Sequence, residues 1–135
     1  MQLETRQAQI FMGVYDTWRS PSFRESFIKM NRREWKDFAE WQTKYRPIDN
    51  PEESTAEHIV FTFYDGVGVL VRRGLIDIGM VDELLSGSFL NLWEKFEVVF
   101  GQVRENNKNP RIFKNSEYLY NEIIQYRKEH SELLR

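Results

Sequence analysis

Cysteine is absent from this chain of 135 residues, and histidine occurs only twice. The absence of cysteine excludes disulfide bonds, thiolate nucleophiles and cysteine-based zinc sites, and it is compatible with a cytoplasmic location. Metal sites in helical bundles use Glu-x-x-His pairs on facing helices, whereas both histidines here directly follow a glutamate, in Glu57-His58 and Glu129-His130. We therefore expect no metal, no cofactor and a cytoplasmic protein.

Long apolar runs and a strong net charge are also missing. No run approaches the roughly 20 apolar residues that span a bilayer, and the polar start MQLETRQAQ predicts neither a signal peptide nor a membrane anchor. The net charge of −2 gives no general attraction to nucleic acid. Residues 24–46 interleave seven basic and four acidic residues with aromatic rings. That pattern can bind single-stranded nucleic acid, but a solvated helix face is its commoner origin, so we expect no nucleic-acid partner.

Motifs of nucleophilic catalysis and of phosphate binding are absent as well. The chain has no Gly-x-Ser-x-Gly elbow, and the glycines in Asp65-Gly66-Val67-Gly68 lack the spacing of either glycine-rich fingerprint. We predict no catalytic residue, and an enzyme is not the expected class.

The most apolar stretch present is residues 55–73, which we predict to be a central, largely buried helix. Ser54 and Glu57 form a capping-box pattern at its start, and Arg72, Arg73 and Gly74 suit a helix end. Its apolar residues recur at helical spacing on two adjoining faces, as in the middle of a bundle. Gly66 and Gly68 inside such a helix predict the close approach of another helix.

A β-hairpin is the rival interpretation of the same stretch. Strand-forming residues stand on both sides of Asp65-Gly66, a strong hairpin signal. An isolated hairpin is marginal in water, and no third strand is evident. The helix is therefore favoured, while the hairpin stays open.

The rest of the chain shows amphipathic helical periodicity. Pro47 and Pro51 mark a loop at residues 46–51. Asn31 is a plausible N-cap of the third helix, and Ser86-Gly87-Ser88 separates the fifth from the sixth. The sequence predicts one all-α domain over residues 1–135, a helical bundle of about six or seven helices with the loop 46–51 between its halves. The helices predicted around the central one cover residues 2–19, 22–30, 32–45, 77–85, 89–104 and 116–133.

Four short motifs in the middle of the chain resemble a known type of sequence. They are Phe63-Tyr64-Asp65-Gly66, Arg73-Gly74-Leu75-Ile76-Asp77, Leu92-Trp93-Glu94 and Arg104. Over roughly residues 59–104 the chain is similar to an uncharacterised family of prokaryotic all-helical domains. The resemblance implies a helical fold and no activity. Members often carry an N-terminal membrane anchor, which we do not expect here, and usually have Glu where this chain has Asp65.

Charged residues inside the apolar zone are the first candidates for a site. Asp65 and Glu94 lie on apolar helices, and Arg72 and Arg104 are placed to reach them. A buried carboxylate needs a partner, so a structural network is the favoured interpretation. The alternative is a small-molecule-binding or catalytic pocket that uses Asp65 and Glu94 between helices.

Aromatic residues are unusually frequent, with four Trp, six Tyr and ten Phe. Trp41, Tyr120 and Ile124 fall off the predicted inner faces of their helices, and exposed side chains of these types are enriched at protein interfaces. The function is unknown from the sequence. The best prediction is a non-enzymatic helical interaction or regulatory module, which acts through an unknown protein partner or through self-association.

Overall fold

The computed structural model describes residues 3–130. These residues form six α-helices and no strand, which confirms the all-α prediction. The predicted ends at residues 2 and 131–133 lie outside the described residues. None of the helices in 3–130 combines the length and apolar character that crossing a membrane requires. The helices are α1 Leu3–Trp18, α2 Pro21–Asn31, α3 Phe38–Tyr45, α4 Pro51–Arg72, α5 Ile78–Asn106 and α6 Lys114–Glu129.

The central helix α4 packs against both α2 and α6. It is continuous through Asp65-Gly66, so the hairpin interpretation is wrong. It starts earlier than predicted, because Pro51 occupies the first turn, where its missing N–H costs nothing. Ser54 is therefore inside the helix and is not its cap. At the other end Gly74 adopts a left-handed φ of 72°, and the Leu75 N–H donates to the Leu70 carbonyl, as in a Schellman motif.

Helix α5 continues through Ser86-Gly87-Ser88, where the sequence predicted a break. The buried Ser86 hydroxyl donates back to the Asp82 carbonyl at 2.6 Å, which keeps the side chain within the helix. It also accepts from the Arg127 guanidinium on α6 at 3.1 Å. A serine that sequence rules assign to a loop is satisfied here by its own helix and by a neighbouring one.

Helix α3 is shorter than predicted, and Asn31 ends α2 instead of capping α3. Asp37 is the N-cap, and its side chain accepts from the Glu40 N–H at 2.8 Å. The face of α3 that packs on the core carries Phe38, Trp41 and Tyr45, whereas Gln42, predicted on that face, is exposed. Trp41 consequently points inward and is only 5% exposed, so its predicted position off the inner face is wrong. Its ring contacts those of Trp35, Tyr45, Phe96 and Phe100.

The core is built largely from aromatic rings. Phe61 on α4 lies at its centre, and its ring centroid is 4.8 Å from that of Phe100 in an edge-to-face arrangement. One cluster of buried side chains includes residues on both sides of the loop at 46–50, such as Phe23, Trp41 and Phe89. This shared core supports the single-domain organisation, which stays a prediction.

Gly68 allows α6 to approach α4 closely. A Cβ atom built on Gly68 would lie 2.2 Å from the carbonyl oxygen of Asn115, whereas one built on Gly66 would meet nothing within 4 Å. The predicted close approach of another helix is therefore right for Gly68 and wrong for Gly66. Both glycines lie in α4 two positions apart, so they form a matched pair for mutation.

We expect Gly68→Ala to lower the free energy of unfolding by about 2 kcal/mol, because backbone atoms must separate to admit the methyl group. Gly66→Ala should raise it by about 0.5–1 kcal/mol, since alanine is the better helix former. Urea denaturation of both variants measures the difference. Equal effects of the two substitutions would contradict the close packing of α4 and α6.

Candidate functional site

The four charged residues predicted as a site all contact α6 or the loop before it, and no hydrogen bond joins them to one another. Asp65, Arg72 and Arg104 bond to residues 112–117, and Glu94 bonds to Tyr120 one turn further along. The tertiary structure thus brings all four to one helix, but not to one point.

Asp65 caps α6 from another helix. The residue at the N-cap position of α6 is Phe113, which has a left-handed φ of 51° and no side chain that could accept a hydrogen bond. One carboxylate oxygen of Asp65 accepts from the backbone N–H of Ser116 at 2.7 Å and from its hydroxyl at 2.8 Å. A carboxylate at the positive end of a helix dipole is also favoured electrostatically.

Two arginines hold the same end of α6. Arg72 donates to the side-chain carbonyl of Asn115 at 2.6 Å. Arg104 donates to the Ile112 carbonyl at 2.7 Å and contacts Glu117 at 3.2 Å. The hydrogen bond from Lys114, followed by that from Arg104, holds the pKa of Glu117 below its ordinary value.

Glu94 lies on the exposed side of α5, where it accepts a 2.7 Å hydrogen bond from the Tyr120 hydroxyl. This bond to a carboxylate raises the pKa of Tyr120 to about 12. Tyr120 and Ile124 are half-buried and pack against the core. Their interface role stays a prediction, as does the ligand role of Asp65, Arg72, Glu94 and Arg104. The contacts of these four residues favour the structural interpretation, in which they position α6.

A different cluster surrounds the side chain of Arg33, which is 1% exposed. Arg33 forms ion pairs with Glu53 at 3.0 Å and with Glu57 at 2.8 Å. These two glutamates are one helical turn apart on α4. Arg33 also donates to the Glu53 carbonyl at 2.8 Å. The guanidinium carbon lies 4.9 Å from the ring centroid of Trp41 and 4.4 Å from that of Tyr45, within cation–π range.

An aromatic cleft with a volume of about 290 Å³ opens beside this cluster, between α3, α4 and the end of α5. Glu57 forms part of its wall, and we call it the Glu57 cleft. Burial raises the pKa of Glu57 above its ordinary value although Arg33 acts in the opposite direction. Arg46 on the rim is paired with Asp49 at 2.7 Å. The lining residues are Phe38, Trp41, Gln42, Tyr45, Arg46, Pro47, Ser54, Glu57, Val103, Asn106 and Asn107.

Sequence reasoning missed the Glu57 cleft because it placed Arg33 on a solvated face of a longer helix. Two signals in the sequence bear on it. Glu53 and Glu57 are four residues apart, and Trp41 and Tyr45 are likewise four apart, so each pair shares a helix face. Neither signal shows that an arginine from the segment before α3 lies between the two pairs.

Metal chemistry receives no support from the described part of the chain. Within residues 3–130 no group of three or more His, Asp or Glu side chains is arranged to hold a metal ion.

Comparison with known proteins identifies one family. The family model described as "Domain of unknown function (DUF4760)" matches residues 4–123. The match confirms the resemblance seen over residues 59–104 and extends it across most of the chain. No curated protein matches the sequence, and no solved structure matches either.

We expect Asp65→Ala to lower the free energy of unfolding by about 2 kcal/mol, because it removes a cap and leaves the backbone N–H of the buried Ser116 unpaired, while the Ser116 hydroxyl keeps only its 3.4 Å bond to the Phe61 carbonyl. Asp65→Asn retains an acceptor oxygen and should cost less. The exposed Glu94→Gln should change stability by less than about 0.5 kcal/mol. Urea unfolding measures all three variants. Unchanged stability in Asp65→Ala would instead favour a functional carboxylate.

The lowered pKa of Glu117 predicts a pH-dependent contribution to stability. Its ionised form is favoured in the folded state, so the contribution is complete above the unfolded-state pKa of about 4.3 and is lost as the pH falls through the lower folded-state pKa. Wild type should therefore exceed Glu117→Gln in stability at neutral pH, and the difference should vanish in acid. Urea unfolding of both proteins across this range measures it, and a constant difference would refute the lowered pKa.

Proposed function

The chain belongs to the DUF4760 family of domains of unknown function, and we propose that it is a non-enzymatic protein-interaction module that holds a basic side chain of its partner in the Glu57 cleft. The single observation that carries this proposal is the position of the Glu57 carboxyl: it shares its one arginine partner, Arg33, with Glu53, and it lies in the aromatic wall of the cleft. We propose the cytoplasm as its compartment, on the absence of cysteine from the sequence.

The charges around the cleft favour a positively charged ligand. One guanidinium, that of Arg33, pairs with two carboxylates, those of Glu53 and Glu57, so the fully ionised cluster has an excess negative charge. Burial raises the pKa of Glu57 because Arg33, which also pairs with Glu53, does not fully offset the desolvation of the Glu57 carboxylate. A second cation entering the cleft would supply the missing charge.

The walls of the cleft suit the stem of a lysine or arginine side chain. Phe38, Trp41 and Tyr45 offer apolar surface for the methylene groups, and aromatic faces attract the charged end. Gln42 and Asn106 carry amides that can pair with the backbone of an extended segment. A volume of about 290 Å³ is at the lower end of the range of small-molecule sites and fits a single anchoring side chain.

The alternative function, a small-molecule or catalytic pocket at Asp65 and Glu94, has less support. Asp65 is engaged by Ser116 on α6, and Glu94 accepts from Tyr120 on the surface of α5. Self-association also remains a proposal, with Tyr120 and Ile124 as its candidate residues. Trp41 contributes instead to the proposed partner binding, because its ring lines the Glu57 cleft.

Selection from a library of random displayed peptides tests the proposal directly. Peptides enriched on the wild-type protein should share one lysine or arginine, and they should fail to bind Glu57→Gln. The glutamine keeps an acceptor for Arg33, so the fold should persist. Glu97→Gln, which removes an exposed carboxylate of α5, is the matched control and should bind as wild type does.

Affinity for such a peptide should also weaken as the pH falls through the raised pKa of Glu57, because protonation removes the charge that binds the cation. Titration calorimetry at several pH values measures this. Enriched peptides without a basic residue, or equal binding to Glu57→Gln, would overturn the proposal.

A further inference from the structure

Buried polar atoms of three side chains, without hydrogen-bond partners, lie where α1, α2 and α4 come together. They are the indole N–H of Trp18, the Nε and Nη2 atoms of Arg24, and the hydroxyl of Tyr64. Tyr64 is 1% exposed, and Arg24 keeps part of its surface accessible. Buried polar atoms are nearly always paired in folded proteins, so three unpaired groups at one place indicate a missing partner.

The three groups are close neighbours. Burial raises the pKa of Tyr64. The indole N–H of Trp18, which approaches the hydroxyl as a donor without completing a hydrogen bond, and the charge of Arg24 act to lower it. The guanidinium carbon of Arg24 lies 4.5 Å from the ring centroid of Trp18. Tyr64 in turn packs against the ring of Phe23, which also faces Arg24.

What the cluster lacks is an acceptor with negative charge. The rings of Trp18, Phe23 and Phe27 attract the guanidinium through their π faces, at 4.5, 5.4 and 5.2 Å from its carbon. They offer no lone pair to its N–H groups. An arginine so placed is partly desolvated without a counter-charge, in contrast to Arg33, which has two carboxylates.

The two unpaired atoms of Arg24 identify the shape of the acceptor. Nε and Nη2 form the side-on fork of the guanidinium, whose parallel N–H groups match the two oxygens of a carboxylate. The indole N–H and the phenol hydroxyl can donate to the same oxygens.

We propose that Trp18, Arg24 and Tyr64 form a binding site for a small carboxylic acid in its ionised form. Arg24 binds the carboxylate through its fork, while Trp18 and Tyr64 each donate one hydrogen bond. The ligand then joins α1 to α2 and α4. This site involves none of the residues of the Glu57 cleft, so it stands or falls independently of the proposed function.

Acetate is the probe for this site, in a titration at constant ionic strength in which chloride balances the acetate. We expect acetate to raise the unfolding temperature saturably. It should also change the tryptophan fluorescence, because the indole N–H of Trp18 donates a hydrogen bond to the bound acetate. Tyr64→Phe, which removes only the hydroxyl, should weaken the apparent affinity by about tenfold or more. Arg24→Lys keeps the charge but lacks the fork, and should weaken it similarly.

Tyr118→Phe is the matched control, since it removes a tyrosine hydroxyl of α6 outside the cluster, and its response to acetate should equal that of wild type. The proposal is overturned if acetate and chloride act alike on the wild-type protein. It is equally overturned if Tyr64→Phe and Arg24→Lys respond to acetate as wild type does.

Discussion

The contact between α4 and α6 depends on a carboxylate in the middle of one helix that caps the other. Asp65 reaches Ser116 across a separation of 51 residues, and the absence of a side chain at Gly68 lets the helix backbones come close enough for this bond. The apolar N-cap residue Phe113 leaves α6 without a cap of its own. Because a buried helix end with unpaired N–H groups is costly, the cap from α4 determines where α6 starts and lies.

Three charged side chains that are buried or partly buried differ in how completely their charges are compensated. Asp65 is satisfied by the backbone and hydroxyl donors of Ser116. Arg33 has two carboxylate partners, which leaves an excess negative charge beside an aromatic cleft. Arg24 has aromatic faces but no acceptor for two of its nitrogen atoms. Balanced charges hold a fold together, whereas unbalanced ones favour a ligand of opposite charge, and both proposed sites follow from that difference.

Local sequence signals predicted most helices correctly, but they predicted some helix ends correctly and others wrongly. The Gly74 termination of α4 was predictable, because a left-handed residue after a helix favours glycine whatever surrounds it. The break at Ser86-Gly87-Ser88 was predicted from the same kind of rule and does not occur, since Asp82 and Arg127 satisfy Ser86 within the bundle. The predicted cap of α3, Asn31, instead ends α2, and α3 starts after Asp37, whose side chain accepts from the Glu40 N–H.

By itself the sequence determined the class of fold, the apolar central helix and the need of its charged residues for partners, because periodicity and burial costs act over one or two helical turns. The sequence also identified Asp65, Arg72, Glu94 and Arg104 as charged residues that need partners inside the apolar part of the fold. Only the tertiary structure decided that these four contact α6 or the loop before it, that Trp41 and Arg33 are buried, and that Arg24 lies against the rings of Trp18, Phe23 and Phe27. Those outcomes depend on which side chains from distant segments meet, and no local pattern records the separation or orientation of two helices.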